Sequence, residues 1–302
     1  MKSLLIAALL LVPLLNATTV LGWYPRLEEE SWRDPDQPFA IVGRERSYIP
    51  GPDETLIELA RRAGLGYLAL TQANPQTDPW APAVGREILL PYAFIPPREL
   101  VEGITINLAE LRLYLLWPEQ GRQRIRAYAI GIGSEGRDTP EGDYTITQRV
   151  ENPSWTAPAS VRAARPDGPT LIPPGPDNPL GDYWLGLSLS GYGIHGTNRS
   201  FGIGRRVSHG CLRLYPEDIE DLFPRAPRGT PVRIIYQPIK VGVQDGDLFV
   251  EIHPDPRGAF NVPEVEVRRQ IQALSWKGVL DSGALETAIA ERRGMPVRIS
   301  AN

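Results

Sequence analysis

The clearest chemical signal in the sequence is a short segment that holds the only cysteine and two of the three histidines. Cys211 lies two positions after His209 and 16 positions after His195. A free thiol has a pKa of about 8.5, so it is mostly protonated at neutral pH and needs a base to become a nucleophile. The spacing therefore predicts nucleophilic catalysis by a cysteine, with a nearby histidine as its base.

Spacing favours His195 over His209 as the base. On a strand, His209 and Cys211 would share a face, but they would lie along the strand and not in contact. The separation of His195 from Cys211 allows a strand, a loop and a returning strand, which would set the ring opposite the thiol. Gly210 is expected to let backbone amides face an oxyanion. His253 lies outside this segment and is predicted to be a surface or strand-end residue.

Two other interpretations of these residues stay open. Cys211 could be a buried structural cysteine, which is a common position for a lone thiol. Alternatively, His195, His209 and Cys211 could bind zinc with a water molecule as the fourth ligand, although the spacing of His209 and Cys211 is unusual for such a site. A single cysteine excludes an intramolecular disulfide, a CxxC redox pair and any multi-cysteine zinc site.

The composition indicates a folded, exported protein. Of 302 residues, 42% are hydrophobic and 23% are charged, and the net charge of −4 does not favour nucleic-acid binding. Residues 1–22 contain one lysine, an apolar run from Ser3 to Leu15 and a small residue at Gly22, as signal peptides do. We predict cleavage after Gly22, with an uncleaved anchor as the alternative.

The rest of the sequence divides into three regions. Residues 47–92 contain two short helical patterns between two strands, and Asp53 is expected to cap the first helix. Residues 98–237 are rich in strands and include a long Pro-rich loop at 153–181, which we expect to act as a lid. Residues 238–302 contain a predicted strand and two predicted helices, and they show no chemical motif.

Several short motifs occur in a characteristic order, and they are Gly131-Ile132-Gly133, Thr139-Pro140-Glu141-Gly142, Pro174-Gly175-Pro176-Asp177-Asn178-Pro179, His195-Gly196-Thr197 and Ser208-His209-Gly210-Cys211-Leu212-Arg213-Leu214. Together they resemble the signature of the L,D-transpeptidases, which remodel peptidoglycan. The resemblance covers residues 98–237, and the flanks resemble the Gram-negative branch that anchors the outer-membrane lipoprotein. Region 47–92 resembles a LysM domain, a glycan-binding module, with a packing domain that lacks a glycan site as the alternative.

This resemblance implies roles for individual residues. Cys211 would be the nucleophile and His195 the proton acceptor and donor. The Gly196 carbonyl would orient the imidazole, His209 would support the site, and the Gly210 and Cys211 amides would line the oxyanion hole. The residues expected to bind substrate are Arg213, through a carboxylate, Tyr192, through pocket shape, and Ser208.

The implied fold is mainly β, with a β-sandwich-type catalytic domain between a small α+β LysM-like domain and a small α/β C-terminal subdomain. The enzyme would be periplasmic, without stable membrane insertion after signal cleavage, and would use no metal and no cofactor. Its partners would be peptidoglycan stem peptides, glycan and an outer-membrane lipoprotein, and no nucleic acid.

The implied reaction has two steps. The thiol would attack the diaminopimelate carbonyl of a tetrapeptide stem, release D-alanine and form a thioester. A lipoprotein lysine, or a second diaminopimelate in a 3→3 crosslink, would then take the stem. The alternatives are a hydrolytic L,D-carboxypeptidase or lipoprotein-detaching peptidase, and a non-catalytic glycan-binding wall protein. A lid at 153–181 would keep water from the thioester.

Overall fold

A computed structural model describes residues 32–34, 36–37 and 39–301. The predicted signal peptide at 1–22 lies outside the described residues, so its cleavage stays a prediction. No helix in the described part of the chain is long and apolar enough to cross a membrane. The helices are α1 (Leu56–Ala63), α2 (Tyr67–Ala73), α3 (Ala159–Ala164), α4 (Pro216–Arg225), α5 (Pro263–Leu274) and α6 (Ser282–Glu291), with a short 3-10 helix at Ser200–Gly202.

The strands are short and fall into one large sheet and several small ones. In chain order they are β1 (Trp32–Arg33), β2 (Arg46–Tyr48), β3 (Ile88–Leu90), β4 (Gly103–Asn107), β5 (Arg112–Glu119), β6 (Arg122–Ala129), β7 (Ile132–Gly133), β8 (Gly142–Glu151), β9 (Trp155–Thr156), β10 (Leu171–Ile172), β11 (Tyr183–Leu187), β12 (Gly193–His195), β13 (Arg206–Ser208), β14 (Leu212–Arg213), β15 (Pro231–Ile235), β16 (Ile239–Gln244), β17 (Asp247–Ile252) and β18 (Pro296–Arg298).

The N-terminal unit packs α1 and α2 against the antiparallel pair of β2 and β3. Thr55 begins α1 with a capping box. Its Oγ1 accepts a hydrogen bond from the Glu58 N–H at 3.2 Å, and the Glu58 carboxylate accepts one from the Thr55 N–H at 3.1 Å. The expectation that Asp53 caps this helix was wrong, because Asp53 lies in the preceding turn with a φ of 64°. The predicted order of strand, helix, helix and strand is present, whereas glycan binding by this unit stays a prediction.

The catalytic region is built on one mixed nine-stranded sheet in the order β1-β6-β5-β4-β15-β8-β11-β12-β14. The expected sandwich would have two facing sheets, but this single sheet curls and buries its own inner face with α4. Alternate residues of β5 enter two different cores, because successive side chains of a strand point to opposite faces. Leu113 and Leu115 join the main core, and Tyr114 and Leu116 pack with Phe94. The described chain as a whole is mixed α/β, since helices cover the flanking sheets.

Residues 153–181 are more ordered than the loop that the sequence suggested. β9 and β10 pair as antiparallel strands, and α3 lies between them in the chain. Asn178 is fully buried and closes the segment, since its side-chain amide donates to Pro153 O at 2.7 Å and to Pro173 O at 3.1 Å. Proline has no N–H but keeps its carbonyl, so a Pro-rich segment offers acceptors that a buried asparagine can satisfy.

The C-terminal unit is the antiparallel sheet β16-β17-β18 with α5 and α6, which include the strand and the two helices expected there. Val267 of α5 and Leu285 of α6 are buried against this sheet. Asp281 begins α6 by accepting a hydrogen bond from the Ala284 N–H at 3.0 Å.

A buried ionic cluster joins the C-terminal unit to the catalytic sheet. Lys240 Nζ lies 2.7 Å from Glu110 Oε2 and 2.9 Å from Glu251 Oε1. Arg112 Nη1 lies 3.3 Å from both carboxylates, and His253 Nε2 lies 2.8 Å from Glu251 Oε1. Burial opposes ionisation of Glu251, but these cationic neighbours and hydrogen bonds lower its pKa to about 2. His253 lies just after the end of β17, which confirms the predicted strand-end position, but it is buried, so the surface alternative was wrong.

Removal of the Lys240 charge should lower the free energy of unfolding. In Lys240→Met, the two buried carboxylates keep Arg112 but lose the shared ammonium, and breaking a buried ion pair in this way costs about 3–5 kcal/mol of unfolding free energy. Chemical denaturation measures this cost. Lys277→Met is the matched control, because Lys277 is exposed. Equal denaturation midpoints for the two variants would contradict the importance of the cluster.

Candidate active site

The Cys211 turn, defined as residues 208–213, is fastened at both ends to the chain around β7. Gly131 and Arg213 exchange two backbone hydrogen bonds, at 2.8 and 2.9 Å. At the other end, the Ser134 N–H donates to Ser208 O at 2.9 Å. Backbone bonds on both sides hold the turn in one conformation, as a positioned nucleophile requires.

The strand that carries His195 lies directly beside this turn. β12 and β14 pair as parallel strands, with Ile194 opposite Leu212 and His195 opposite Arg213. Cys211 immediately precedes β14, so the pairing brings the cysteine and His195 to one edge of the sheet. The returning strand expected from the spacing of the two residues is therefore present.

His195 is held as a neutral imidazole with a defined tautomer. Its ring is 3% exposed and stacks on Trp184, with 5.7 Å between ring centroids. Nδ1 lies 2.6 Å from Gly196 O, and because a carbonyl only accepts, Nδ1 carries the proton and Nε2 keeps its lone pair. Burial and the charge of Arg213 lower the pKa of His195 to about 4, although the Gly196 and Leu180 carbonyls oppose the shift.

Cys211 has the properties of a thiol that depends on a base. Its Sγ lies 3.7 Å from Gly191 O, and the residue is half-buried. Burial raises the pKa of the thiol above its usual value, and the Gly193 backbone and the Arg213 charge offset only part of this effect. The thiol is therefore protonated at neutral pH, and attack on a carbonyl requires an acceptor for its proton.

Ser208 and Gly210 shape the turn around the cysteine. The Ser208 hydroxyl donates to Cys211 O at 2.6 Å and accepts from the Gly210 N–H at 3.1 Å. In this geometry the Gly210 amide is already bonded, which differs from the free oxyanion donor that we expected. Gly210 has a φ of 109°, and a Cβ there would lie 2.7 Å from Tyr192 Cε1. The Tyr192 ring therefore packs against the Cys211 turn, and its predicted role in shaping the substrate pocket stays a prediction.

His209 points away from this buried arrangement. It is exposed, and its Nε2 accepts a hydrogen bond from Arg137. Burial and the charges of Arg137 and Arg213 lower its pKa. Sequence reasoning missed Arg137, Trp184 and Thr139, whose hydroxyl donates to Gly210 O at 2.8 Å. Of these, only Thr139 belonged to a motif that the sequence had already marked.

The zinc interpretation does not fit the geometry. Within the described ranges, the group that brings three possible metal ligands within 4.8 Å of one another is Glu110, Glu251 and His253, and it does not include the two active-site histidines or the cysteine. In that group, the ammonium of Lys240 already lies against both carboxylates. The residues around Cys211 thus form a cysteine–histidine site.

Comparisons with known proteins agree with this geometry. The profile of the YkuD family, described as the L,D-transpeptidase catalytic domain, matches residues 102–234. "Probable L,D-transpeptidase YbiS" of Escherichia coli is 36% identical over 94% of this chain and 96% of its own length. The chain belongs to the L,D-transpeptidase family. "Probable L,D-transpeptidase YcfS" of Escherichia coli is also 36% identical, over 89% of this chain and 88% of its own. "Probable L,D-transpeptidase ErfK/SrfK" of Salmonella typhimurium is 36% identical over 92% and 91%.

In this L,D-transpeptidase, the N-terminal unit contacts the chain that leads into the Cys211 turn. The first amides of α2, on Tyr67 and Leu68, donate to Ile203 O and Gly204 O at 3.3 Å. Gly204 has a φ of 74°, and a Cβ there would overlap the Tyr67 amide. The Arg205 guanidinium lies 3.7 Å from the centre of the Tyr67 ring. The N-terminal unit is thus part of the framework that positions the Cys211 turn.

The histidine titration can be measured directly. The NMR signals of the His195 ring should titrate with a midpoint at about pH 4. Between this value and the ordinary 6.5, only the unfolded chain binds the proton, so stability should fall as the pH drops through that window. Arg213→Gln should raise the midpoint, because it removes a nearby positive charge. A midpoint near 6.5 in the folded protein would refute this description.

A side chain at Gly210 should slow acylation of the cysteine. Gly210→Ala adds a Cβ that meets Tyr192 in a strained backbone conformation, which costs about 1–3 kcal/mol and displaces the turn. We expect the rate of Cys211 acylation to fall about tenfold or more. Gly121→Ala is the control, since Gly121 also has a positive φ, of 76°, but has no atom within 4 Å of the added Cβ. Equal rates in the two variants would disprove a positioning role for Gly210.

Proposed function

We propose that this L,D-transpeptidase transfers a tetrapeptide stem to an amine through a thioester on Cys211. The family acts on peptidoglycan, and the proposal extends this to a defined donor, nucleophile and base. One observation carries it: a half-buried thiol shares a sheet edge with a buried imidazole whose Nδ1 is bonded to Gly196 O, so that Nε2 is the nitrogen that can accept a proton. A pair of this kind can attack a carbonyl without a charged group in the resting state.

In the first step, His195 Nε2 takes the thiol proton as Cys211 Sγ bonds to the carbonyl carbon of diaminopimelate. The resulting imidazolium is stabilised by the Gly196 carbonyl, which accepts the Nδ1–H in place of a triad carboxylate. His195 then gives its proton to the nitrogen of the leaving D-alanine, and the carbon–nitrogen bond breaks. The products of this step are free D-alanine and a thioester.

In the second step, an amine attacks the thioester carbonyl. His195 accepts a proton from the amine, a new amide bond forms, and Cys211 leaves and is reprotonated by the imidazolium. The acceptor would be the terminal lysine of a lipoprotein or the side-chain amine of a second diaminopimelate. Both are primary amines, so the same chemistry serves either acceptor.

The folded segment 153–181 favours transfer over hydrolysis. It forms one wall of a cavity that reaches His209 and Arg213, and Asn178 holds it closed from within. A wall of this kind can limit the access of water to a thioester. The hydrolytic alternatives, a carboxypeptidase and a lipoprotein-detaching peptidase, use the same thioester and differ only in what attacks it.

We also propose that the protein works in the periplasm after cleavage of residues 1–22, where its substrate is found. Region 47–92 would keep the enzyme on the sacculus by binding glycan. Support for this assignment is the order of its elements, in which β2 and β3 flank two helices.

The nucleophile variant tests the proposal. Cys211→Ala should reduce release of D-alanine from a tetrapeptide stem by at least about 1000-fold, because the reaction loses its covalent step. Mass spectrometry of the products, with and without an amine acceptor, separates transfer from hydrolysis. The variant should still bind sacculi, which shows that it is folded. Unchanged release of D-alanine would disprove the thioester. If only the hydrolysed stem forms when an amine acceptor is present, the enzyme is a hydrolase.

A further inference from the structure

A cavity of about 520 Å³ lies between segment 153–181 and the Cys211 turn. This volume falls within the usual range for small-molecule sites. Trp155 and Ile172 contribute apolar surface to one wall, and His209 and Arg213 reach it from the turn. The cavity therefore borders the Cys211 turn at His209 and Arg213, and the segment that carries α3 lies on its other side.

The lining of this cavity is strongly cationic. Five arginines line it, against one carboxylate, that of Asp177. The whole chain has a net charge of −4, so this cluster runs against the overall charge. The arginines come from four separate parts of the chain: Arg137, Arg162, Arg165, Arg199 and Arg213.

Several arginines outside the cavity are paired with carboxylates. Arg126 lies 2.5 Å from Asp221, and Arg61 lies 2.6 Å from Glu217. In the described part of the chain, by contrast, none of the five cavity guanidinium groups lies within 4.0 Å of a carboxylate. Arg162 donates to a carbonyl, Ala157 O, at 2.7 Å, and Arg137 donates to a neutral histidine.

Arg213 is the half-buried member of this group of arginines. The Arg213 Nε is buried and has no acceptor among the described residues. Burial and the charge of Arg199 lower the pKa of Arg213. The other four arginines are exposed, and a cluster of positive charge with a single carboxylate favours a bound anion. Guanidinium groups match carboxylates in particular, because both are planar and can form two parallel hydrogen bonds.

We infer that this cavity binds the donor stem by its free carboxylates and that Arg162 and Arg165 select for an unblocked carboxylate on the diaminopimelate side chain. The inference rests on the proposed function. A donor that ends in diaminopimelate and D-alanine carries two free carboxylates near the scissile bond. Arg213, two residues after the cysteine, binds the carboxylate of the terminal D-alanine. The arginines of the α3 segment lie across the cavity and take the one on the side chain.

The expected selectivity is against stems whose diaminopimelate side chain is amidated. An amide keeps the size of the carboxylate but loses its charge and offers hydrogen atoms to groups that only donate. An enzyme with this cavity should bind the free stem at least about tenfold more tightly than the amidated stem. The preference should weaken as salt is added, since Arg162 and Arg165 are exposed.

Calorimetry with two synthetic tetrapeptides tests this selectivity without turnover. In the full-length Cys211→Ala protein, the free stem should bind at least about tenfold more tightly than its side-chain amide. Adding Arg162→Gln and Arg165→Gln should bring the two affinities to within about twofold, because both charges are removed from an exposed surface. Arg228→Gln is the matched control, as Arg228 is an exposed arginine outside the cavity, and it should keep the preference.

Kinetics on the active enzyme provide the second measurement. The double arginine variant should lose selectivity in kcat/KM while its cysteine still reacts with a small neutral alkylating agent at the wild-type rate. Equal affinities of the parent Cys211→Ala protein for both stems, or a preference that survives the double substitution, would overturn the inference. Failure of the proposed function would instead appear as D-alanine release that does not need Cys211.

Discussion

The pairing of β12 with β14 is the interaction on which the rest of the active site depends. It is a short parallel contact at the edge of a nine-stranded sheet, and it aligns His195 with Arg213. Parallel strands cannot be joined by a tight turn, so the chain between them must travel out and return. That intervening chain carries the 3-10 helix at Ser200–Gly202, β13 and the first part of the Cys211 turn. The position of His195 relative to Cys211 therefore depends on the register between β12 and β14.

A strand pairing of two residues is too short to be stable alone, and contacts from the surrounding structure stabilise it. Gly131 clamps one end of the Cys211 turn, and Thr139 bonds to Gly210 within it. From the other side, the amides of α2 bind the approaching chain at Ile203 and Gly204. Small residues recur at these positions because backbone approaches backbone, and a Cβ would separate the two chains. The N-terminal unit and the catalytic region, which the sequence predicts as separate domains, therefore both hold the chain around Cys211 in place.

Charge is used in two opposite ways in this molecule. Lys240 and Arg112 balance the carboxylates of Glu110 and Glu251 in a fully buried cluster that joins the C-terminal unit to the catalytic sheet. Buried charges of this kind stabilise only while every partner is present. The arginines beside the Cys211 turn have no such partners among the described residues, and they face a cavity. The paired charges stabilise the junction between the two units, and the cavity arginines are the ones that we propose to bind a ligand.

The sequence by itself pointed to cysteine chemistry, because it places a single cysteine 16 positions after a histidine, and the motifs around these residues resemble those of the L,D-transpeptidases. It also determined the order of elements in the N-terminal unit, which local patterns specify. Only the tertiary structure decided the single curled sheet, the burial of His253 and the engagement of the Gly210 amide by Ser208. The cavity lined by arginines was also decided only by the tertiary structure. These features depend on contacts between residues far apart in the chain, and no local pattern of residue types encodes which distant groups will meet.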